Sequence, residues 1–139
     1  MALAMTPSQP GDNHVSFLEA KLATEVGPHE AREAVEAGTA VILDVRSAES
    51  RSKGYVPQSL HIPRKDLPAR IKELPKGKTI IAYCSDLGCQ ASLKATIELR
   101  KTGIDAKHMV GGFRFWQEKG YPTEPKTATL QASVMRVRE

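Results

Sequence analysis

The residues with the most chemistry to offer are Cys84 and Cys89, in the run YCSDLGCQASLK from Tyr83 to Lys94. The apolar stretch TIIAY, Thr79–Tyr83, ends directly before Cys84, and helical spacing starts at Ala91. Cys84 therefore lies between a strand end and a helix N-terminus. A helix start carries about half a positive charge. Backbone N–H groups of the loop Ser85–Gln90, curled at Gly88, are expected to point at the sulfur. Both effects favour the thiolate, the nucleophilic form of cysteine. The same N–H groups would hold an anionic substrate or leaving group. The chemistry this predicts is attack on sulfur or on phosphorus. Cysteine also serves as a small buried hydrophobe, but its place at a helix start favours the reactive reading.

Cys89 has two readings that the sequence leaves open. It is a second thiol able to attack a persulfide on Cys84, releasing hydrosulfide and closing a disulfide, or a bystander packed under the helix. Four cysteine or histidine ligands at zinc spacing are missing, and His14, His29, His61 and His108 are dispersed. No metal and no organic cofactor is expected.

The elements that must position this locus alternate. Val15, Leu18 and Leu22 have helical spacing in a first amphipathic helix from His14. Pro28 opens a second helix that stops at Gly38. Ala40–Val45 is a continuous apolar strand, as in a parallel sheet covered on both faces. Ser47–Lys53 is a loop or short helix, and Ser59–Ile62 a short strand. Lys65–Leu74 reads as a helix with Leu67, Ile71 and Leu74 on one face and Pro68 in its first turn. Thr79–Tyr83 is a second buried strand. Ala91–Thr102 is a helix presenting Leu93, Ile97 and Leu99 and closed by Gly103. Ala106–Val110 is a further strand, and Gly111–Gly112 turns the chain into a last helix over Phe113–Lys119. This alternation predicts an α/β fold with a mostly parallel sheet. Ligands in such folds sit beyond the carboxyl ends of the strands, where Cys84 falls.

The chain has 139 residues, 40% hydrophobic and 26% charged, which is ordinary for one globular domain. At this size roughly two-thirds of the unfolded surface can be buried, so no staple is needed. No run approaches the about 18 apolar residues of a membrane span. The opening MALAM has neither a basic start nor an adequate apolar region, so it reads as no secretory signal. Two cysteines make no extracellular disulfide framework, and a cytoplasmic location is expected. The net charge is +4, without a basic stripe interleaved with aromatics. Neither nucleic acid nor membrane is expected as a partner, and the mild positive field favours small anions. Residues 1–13 are expected to form a disordered arm, 14–124 the domain and 125–139 a C-terminal tail.

Three ordered segments resemble the single-domain rhodaneses, a sulfurtransferase family. The first is LDVRSAESRSKGYVPQSLHIP, Leu43–Pro63, in which Asp44-Val45-Arg46, Gly54, Pro57 and Ile62-Pro63 match the family pattern. Tyr55 replaces a usual histidine and Gln58 a usual glycine. The second is the cysteine loop. The third is MVGGFRFWQEKGYPTE, Met109–Glu124, with its paired glycines, tryptophan and glycine-proline close. The resemblance spans roughly Val26–Thr123. It implies a three-layer fold with a five-stranded, mostly parallel sheet flanked by helices. It also implies Cys84 as the nucleophile that carries sulfur as a persulfide, with Ser85, Asp86, Leu87, Gly88, Cys89 and Gln90 forming the substrate loop.

Asp44 and Arg46 are expected to support the site as a structural ion pair, because a buried carboxylate needs a partner. Trp116, Phe113 and His61 read as core residues, and Arg64 as a solvated charge. The departures from the family bear on substrate. No arginine occurs between Cys84 and Arg100, Gln90 stands near where one is usual, and Asp86 adds a negative charge. Phosphatases of this fold need cysteine, five residues, then an arginine that clamps phosphoryl bidentately; the residue at that place is Gln90. The leading expectation is sulfur transfer from a small sulfur-containing anion or a persulfide donor to a thiol or protein acceptor, with weak thiosulfate turnover. The alternative is a redox or sulfur-carrier binding module using the Cys84/Cys89 pair with little turnover.

Overall fold

The computed structural model describes residues 10–125, with side chains from His14 onward. Most of the expected N-terminal arm and all but one residue of the C-terminal tail lie outside the described residues. Six α-helices and five strands follow in order: α1 (Pro10–Thr24), β1 (Glu25–Val26), α2 (Pro28–Glu36), β2 (Ala40–Asp44), α3 (Ala48–Lys53), β3 (Leu60–His61), α4 (Leu67–Arg70), β4 (Thr79–Tyr83), α5 (Ala91–Lys101), β5 (Ala106–Met109) and α6 (Gly112–Glu118). All five strands are parallel, in the order β1-β5-β4-β2-β3. β1 carries no apolar run, which is why its residues gave no strand signal.

The two central strands read as expected because they are buried on both faces. In β4, Ile80 and Ala82 face a core with Leu43, Leu67, Ala95 and Leu99, while Ile81 and Tyr83 face a second core with Ile42, Ala31, Phe113 and Trp116. The side-chain period of two produces this alternation, and the helices on each face complete the three layers. Tyr83, Phe113 and Trp116 bury a large share of the second core, with Trp116 donating its indole N–H to the Pro122 carbonyl (2.7 Å).

Three sequence expectations change. α1 begins at Pro10, so residues 10–13 belong to it and not to an arm. Its Val15, Leu18 and Leu22 are exposed by 51%, 57% and 82%; the spacing is helical, but no described element covers that face. The Lys65–Leu74 helix is broken into a 3-10 turn at Arg64–Asp66, the single turn of α4, and a second 3-10 turn at Ile71–Glu73, while Leu67 and Leu74 are buried as expected. In α5 the face toward the sheet is Ser92, Ala95, Thr96 and Leu99. Leu93 and Ile97 are displaced to an exposed flank. Small residues let α5 approach the sheet closely, and Thr96 satisfies its hydroxyl on the Ser92 carbonyl (2.8 Å).

The connection leaving β2 runs through α3 to β3 on one side, and that leaving β4 runs through α5 to β5 on the other. Their carboxyl ends therefore open a topological switch point, the usual place for a ligand in an open α/β sheet.

Candidate active site

Cys84 follows β4 at this switch point and is 4% exposed, beneath a loop whose Ser85–Gly88 and Gln90 face solvent. Two other elements hold it. Tyr83, immediately before it, is fully buried; its hydroxyl donates to Asp44 Oδ2 (2.8 Å) and accepts from the Val56 N–H (3.1 Å). From the opposite side, the first turn of α6 donates Phe113 N–H to the Cys84 carbonyl (2.8 Å) and Arg114 N–H to the Ser85 carbonyl (2.9 Å). That approach depends on Gly112, whose φ is +60° and where a Cβ would overlap the Cys84 carbonyl oxygen. The sequence shows the glycine pair only as the turn into the last helix and does not show this second task. The signal was the pair itself followed by a helix, and the contact spans 28 positions of sequence, from Cys84 to Gly112, that no local pattern reports.

Asp44 and Arg46, at the end of β2, form the expected ion pair, and it is the centre of a larger network. Arg46 Nε reaches Asp44 Oδ1 (2.9 Å) and its Nη2 reaches Oδ2 (2.8 Å), a two-pronged contact, and the Arg46 N–H also donates to Oδ1 (3.0 Å). The Arg46 guanidinium donates further to the Gly54 carbonyl (2.7 Å) and lies 4.6 Å from the Phe113 ring centroid. Arg51, not singled out in the sequence, adds a contact to Asp44 (3.3 Å) and two to Ser59. Burial alone would raise the Asp44 pKa, but the hydrogen bonds and charge of Arg46, with the Tyr83 hydroxyl, outweigh it and hold the carboxyl below its ordinary range. Burial first, and then the Asp44 charge, push Tyr83 up to about 12. The network ties the ends of β2 and β4 to the Gly54–Ser59 segment; it supports the floor under Cys84, and none of its hydrogen bonds reaches the cysteine. His61 is half-buried, with Nε2 at 2.9 Å from the Arg46 carbonyl. Arg64 is half-buried and pairs with the half-buried Glu98 (3.2 Å), so it is not the freely solvated charge the sequence suggests.

The loop itself corrects one expectation. Cys84 and Cys89 are joined by a disulfide, with their Cα atoms 6.2 Å apart. In this closed form the Gly88 N–H donates to Asp86 Oδ1 (3.0 Å) and the Cys89 N–H to the Asp86 carbonyl (3.1 Å). These two donors, expected to face the sulfur, are consumed by a turn built on Asp86, since an aspartate side chain readily accepts from the N–H two residues on. Gly88 is not in the left-handed region, so its special freedom is not used here. Gln90 occupies the N-cap position of α5 without a side-chain cap. The arginines of the surrounding elements are committed elsewhere: Arg46 and Arg51 to Asp44, Arg64 to Glu98, and Arg114 to Glu118. No unpaired arginine among the described residues takes the place of the phosphoryl clamp. Among the described residues, no three His, Cys, Asp or Glu side chains gather as metal ligands. No described helix is long and apolar enough to cross a membrane. A groove of about 650 Å³ lined by Leu18, Leu22, Val26, Ala34 and Ile81 also contacts Thr39 and Thr79, at the amino ends of β2 and β4, away from Cys84.

The fold, the switch-point cysteine and the glycine-held loop together define a rhodanese-type module. The rhodanese-like domain profile matches residues 27–119, and the chain belongs to that family. It is 28% identical over 83 residues to a protein named sulfurtransferase from Allochromatium vinosum, a match covering 59% of this chain and 76% of that one. It is 32% identical over 89 residues to the HTH-type transcriptional regulator Rv0324 of Mycobacterium tuberculosis, covering 64% of this chain but spanning only 39% of that protein. The solved structure of a full-length protein from Lactobacillus plantarum aligns with a TM-score of 0.74 and 28% identity, covering 81% of this chain and 97% of that one.

Proposed function

We propose that the chain is a sulfurtransferase that carries sulfane sulfur on Cys84. The observation that carries this reading is the placement of Cys84 at the carboxyl end of a central strand, with its carbonyl held by the first turn of α6. In the reduced protein, the Cys84 thiolate attacks the outer sulfur of a donor. The donor's S–S bond breaks, sulfite or a thiolate departs, and Cys84 keeps the sulfur as a persulfide. An acceptor thiolate then attacks the outer sulfur and leaves with it, restoring Cys84. Loop N–H groups freed from the Asp86 turn would stabilise the persulfide's negative charge. The kinship to a protein named sulfurtransferase supports this chemistry.

The Cys84–Cys89 disulfide favours a second reading, a dithiol–disulfide module that cycles between two states with little sulfur turnover. Intact-mass spectrometry separates the two. The pre-reduced chain with Cys89 replaced by Ser is mixed with thiosulfate or a low-molecular-weight persulfide. Sulfur transfer predicts a gain of about 32 Da, the mass of one sulfur, that disappears when Cys84 is also replaced by Ser. Absence of that adduct with either donor would sink the sulfurtransferase reading.

A further inference from the structure

The persulfide reading leaves open what happens to the sulfur once Cys84 holds it, and the loop geometry bears on that. The Cα separation of 6.2 Å lies within the normal range for a disulfide, so the two sulfurs meet without displacing β4 or α5. The turn on Asp86 is what folds Cys89 back over Cys84: one hydrogen bond from the Cys89 N–H to the Asp86 carbonyl, and one from the Gly88 N–H to the Asp86 carboxylate. The same residues leave no arginine in the loop to hold a dianionic donor. The two cysteines also differ in access. Cys84 is buried, whereas Cys89 is half-buried on a loop whose neighbours Leu87, Gly88 and Gln90 are exposed.

Resting on that persulfide reading, we propose that Cys89 resolves the Cys84 persulfide, so that the domain reduces sulfane sulfur to hydrosulfide with electrons from an external dithiol. The Cys84 thiolate first takes the outer sulfur of a donor persulfide, and the donor thiolate leaves. The Cys89 thiolate then attacks the inner sulfur, Cys84 Sγ. The persulfide S–S bond breaks, hydrosulfide leaves with the electron pair, and the Cys84–Cys89 disulfide forms. The sulfane sulfur gains two electrons and the two cysteines lose two. A dithiol next attacks the sulfur of Cys89, the more exposed residue of the pair, and expels the Cys84 thiolate. The second thiol of the dithiol displaces Cys89 and closes its own disulfide. The net change is donor persulfide plus dithiol to donor thiol, hydrogen sulfide and the oxidised dithiol. The disulfide-closed loop is one station of this cycle, and it cannot accept sulfur until reduced.

A single-turnover experiment without free thiol tests this. The 139-residue chain, pre-reduced and desalted, is mixed with one equivalent of glutathione persulfide, and hydrosulfide and intact mass are followed together, with Cys84→Ser as background. Wild type is expected to release about one equivalent of hydrosulfide and to end about two mass units below the reduced protein, as a disulfide. Cys89→Ser is expected to keep the adduct of one sulfur at least about tenfold longer, because a tethered thiol outcompetes free acceptors. Cys89→Ala, read the same way, guards against a folding defect peculiar to one substitution. Equal adduct lifetimes in wild type and both Cys89 variants would overturn the resolving role while leaving sulfur transfer intact. No adduct in any protein, with hydrosulfide at the Cys84→Ser background, would overturn both.

Discussion

At the scale of single residues, the proposed sulfur transfer makes a specific demand on the loop's charge. Thiosulfate is a dianion, and at this loop it would meet the exposed Asp86, while among the described residues Arg46, Arg64 and Arg114 are each paired to a carboxylate. One charge a few ångströms from an anion in a solvated site is worth about 1 kcal/mol, roughly fivefold in affinity. Gln90→Arg and Asp86→Ala are therefore each expected to lower the KM for thiosulfate about three- to tenfold at low salt, and the gain is expected to shrink at higher ionic strength. Unchanged KM in both variants would show that charge is not what limits dianion binding. Cys84 and Asp44–Arg46 were legible because strand end, loop and helix start follow one another in the sequence. The loop's hydrogen bonding was not. Whether the Gly88 N–H faces a sulfur or Asp86 depends on a local competition that residue types alone do not resolve, and here the Asp86 carboxylate takes it.

At the scale of elements, the strands were easier to read than the helices. β2 and β4 are apolar on both faces, so their burial needs no choice of face, and Thr79–Tyr83 has the expected limits. α5 was misread because its sheet-facing side is mostly small and polar, and hydrophobicity pointed to Leu93 and Ile97 instead. β1 was missed because two residues supply backbone hydrogen bonds and little apolar area. The contact of α6 with the cysteine loop was invisible for another reason: it is made by backbone N–H groups, which every sequence has. Gly112 is its one side-chain condition. Gly112→Ala is expected to push the first turn of α6 off the Cys84 carbonyl and to lower sulfur transfer by at least about tenfold, since small misplacements of a reacting group are costly. Gly120→Ala is the matched control: its φ is also positive (+77°), but the added methyl meets open space, so it carries only the backbone strain of about 1 kcal/mol and is expected to keep full activity. Equal activity losses in the two variants would mean that backbone strain, and not the held carbonyl, explains the effect.

At the scale of the whole molecule, the Asp44 network joins the two halves of the sheet where their connections part. It links β2, β4, α3 and the Gly54–Ser59 segment, so its titration is expected to set the pH limits of the fold. Asp44 is held below its ordinary range when folded. An unfolded aspartate titrates near about 3.9, so this stabilisation is complete above that pH and is lost as pH falls through the lower folded value. Tyr83 has the opposite sign. Its folded pKa of about 12 lies above the ordinary tyrosine value of about 10, so its contribution is complete below about pH 10 and is lost as pH rises toward 12, by roughly 2–3 kcal/mol. Urea denaturation of the reduced protein across pH reads both limbs. Asp44→Asn leaves Arg46 buried without its counter-charge and is expected to cost about 3 kcal/mol at neutral pH. That deficit is expected to narrow below about pH 4, because only wild type then loses the ion pair. Tyr83→Phe is expected to flatten the alkaline limb and leave the acid limb in place. If Asp44→Asn and wild type lose stability in parallel below pH 4, other carboxylates govern acid unfolding and the network is a local brace and not the element that limits the fold.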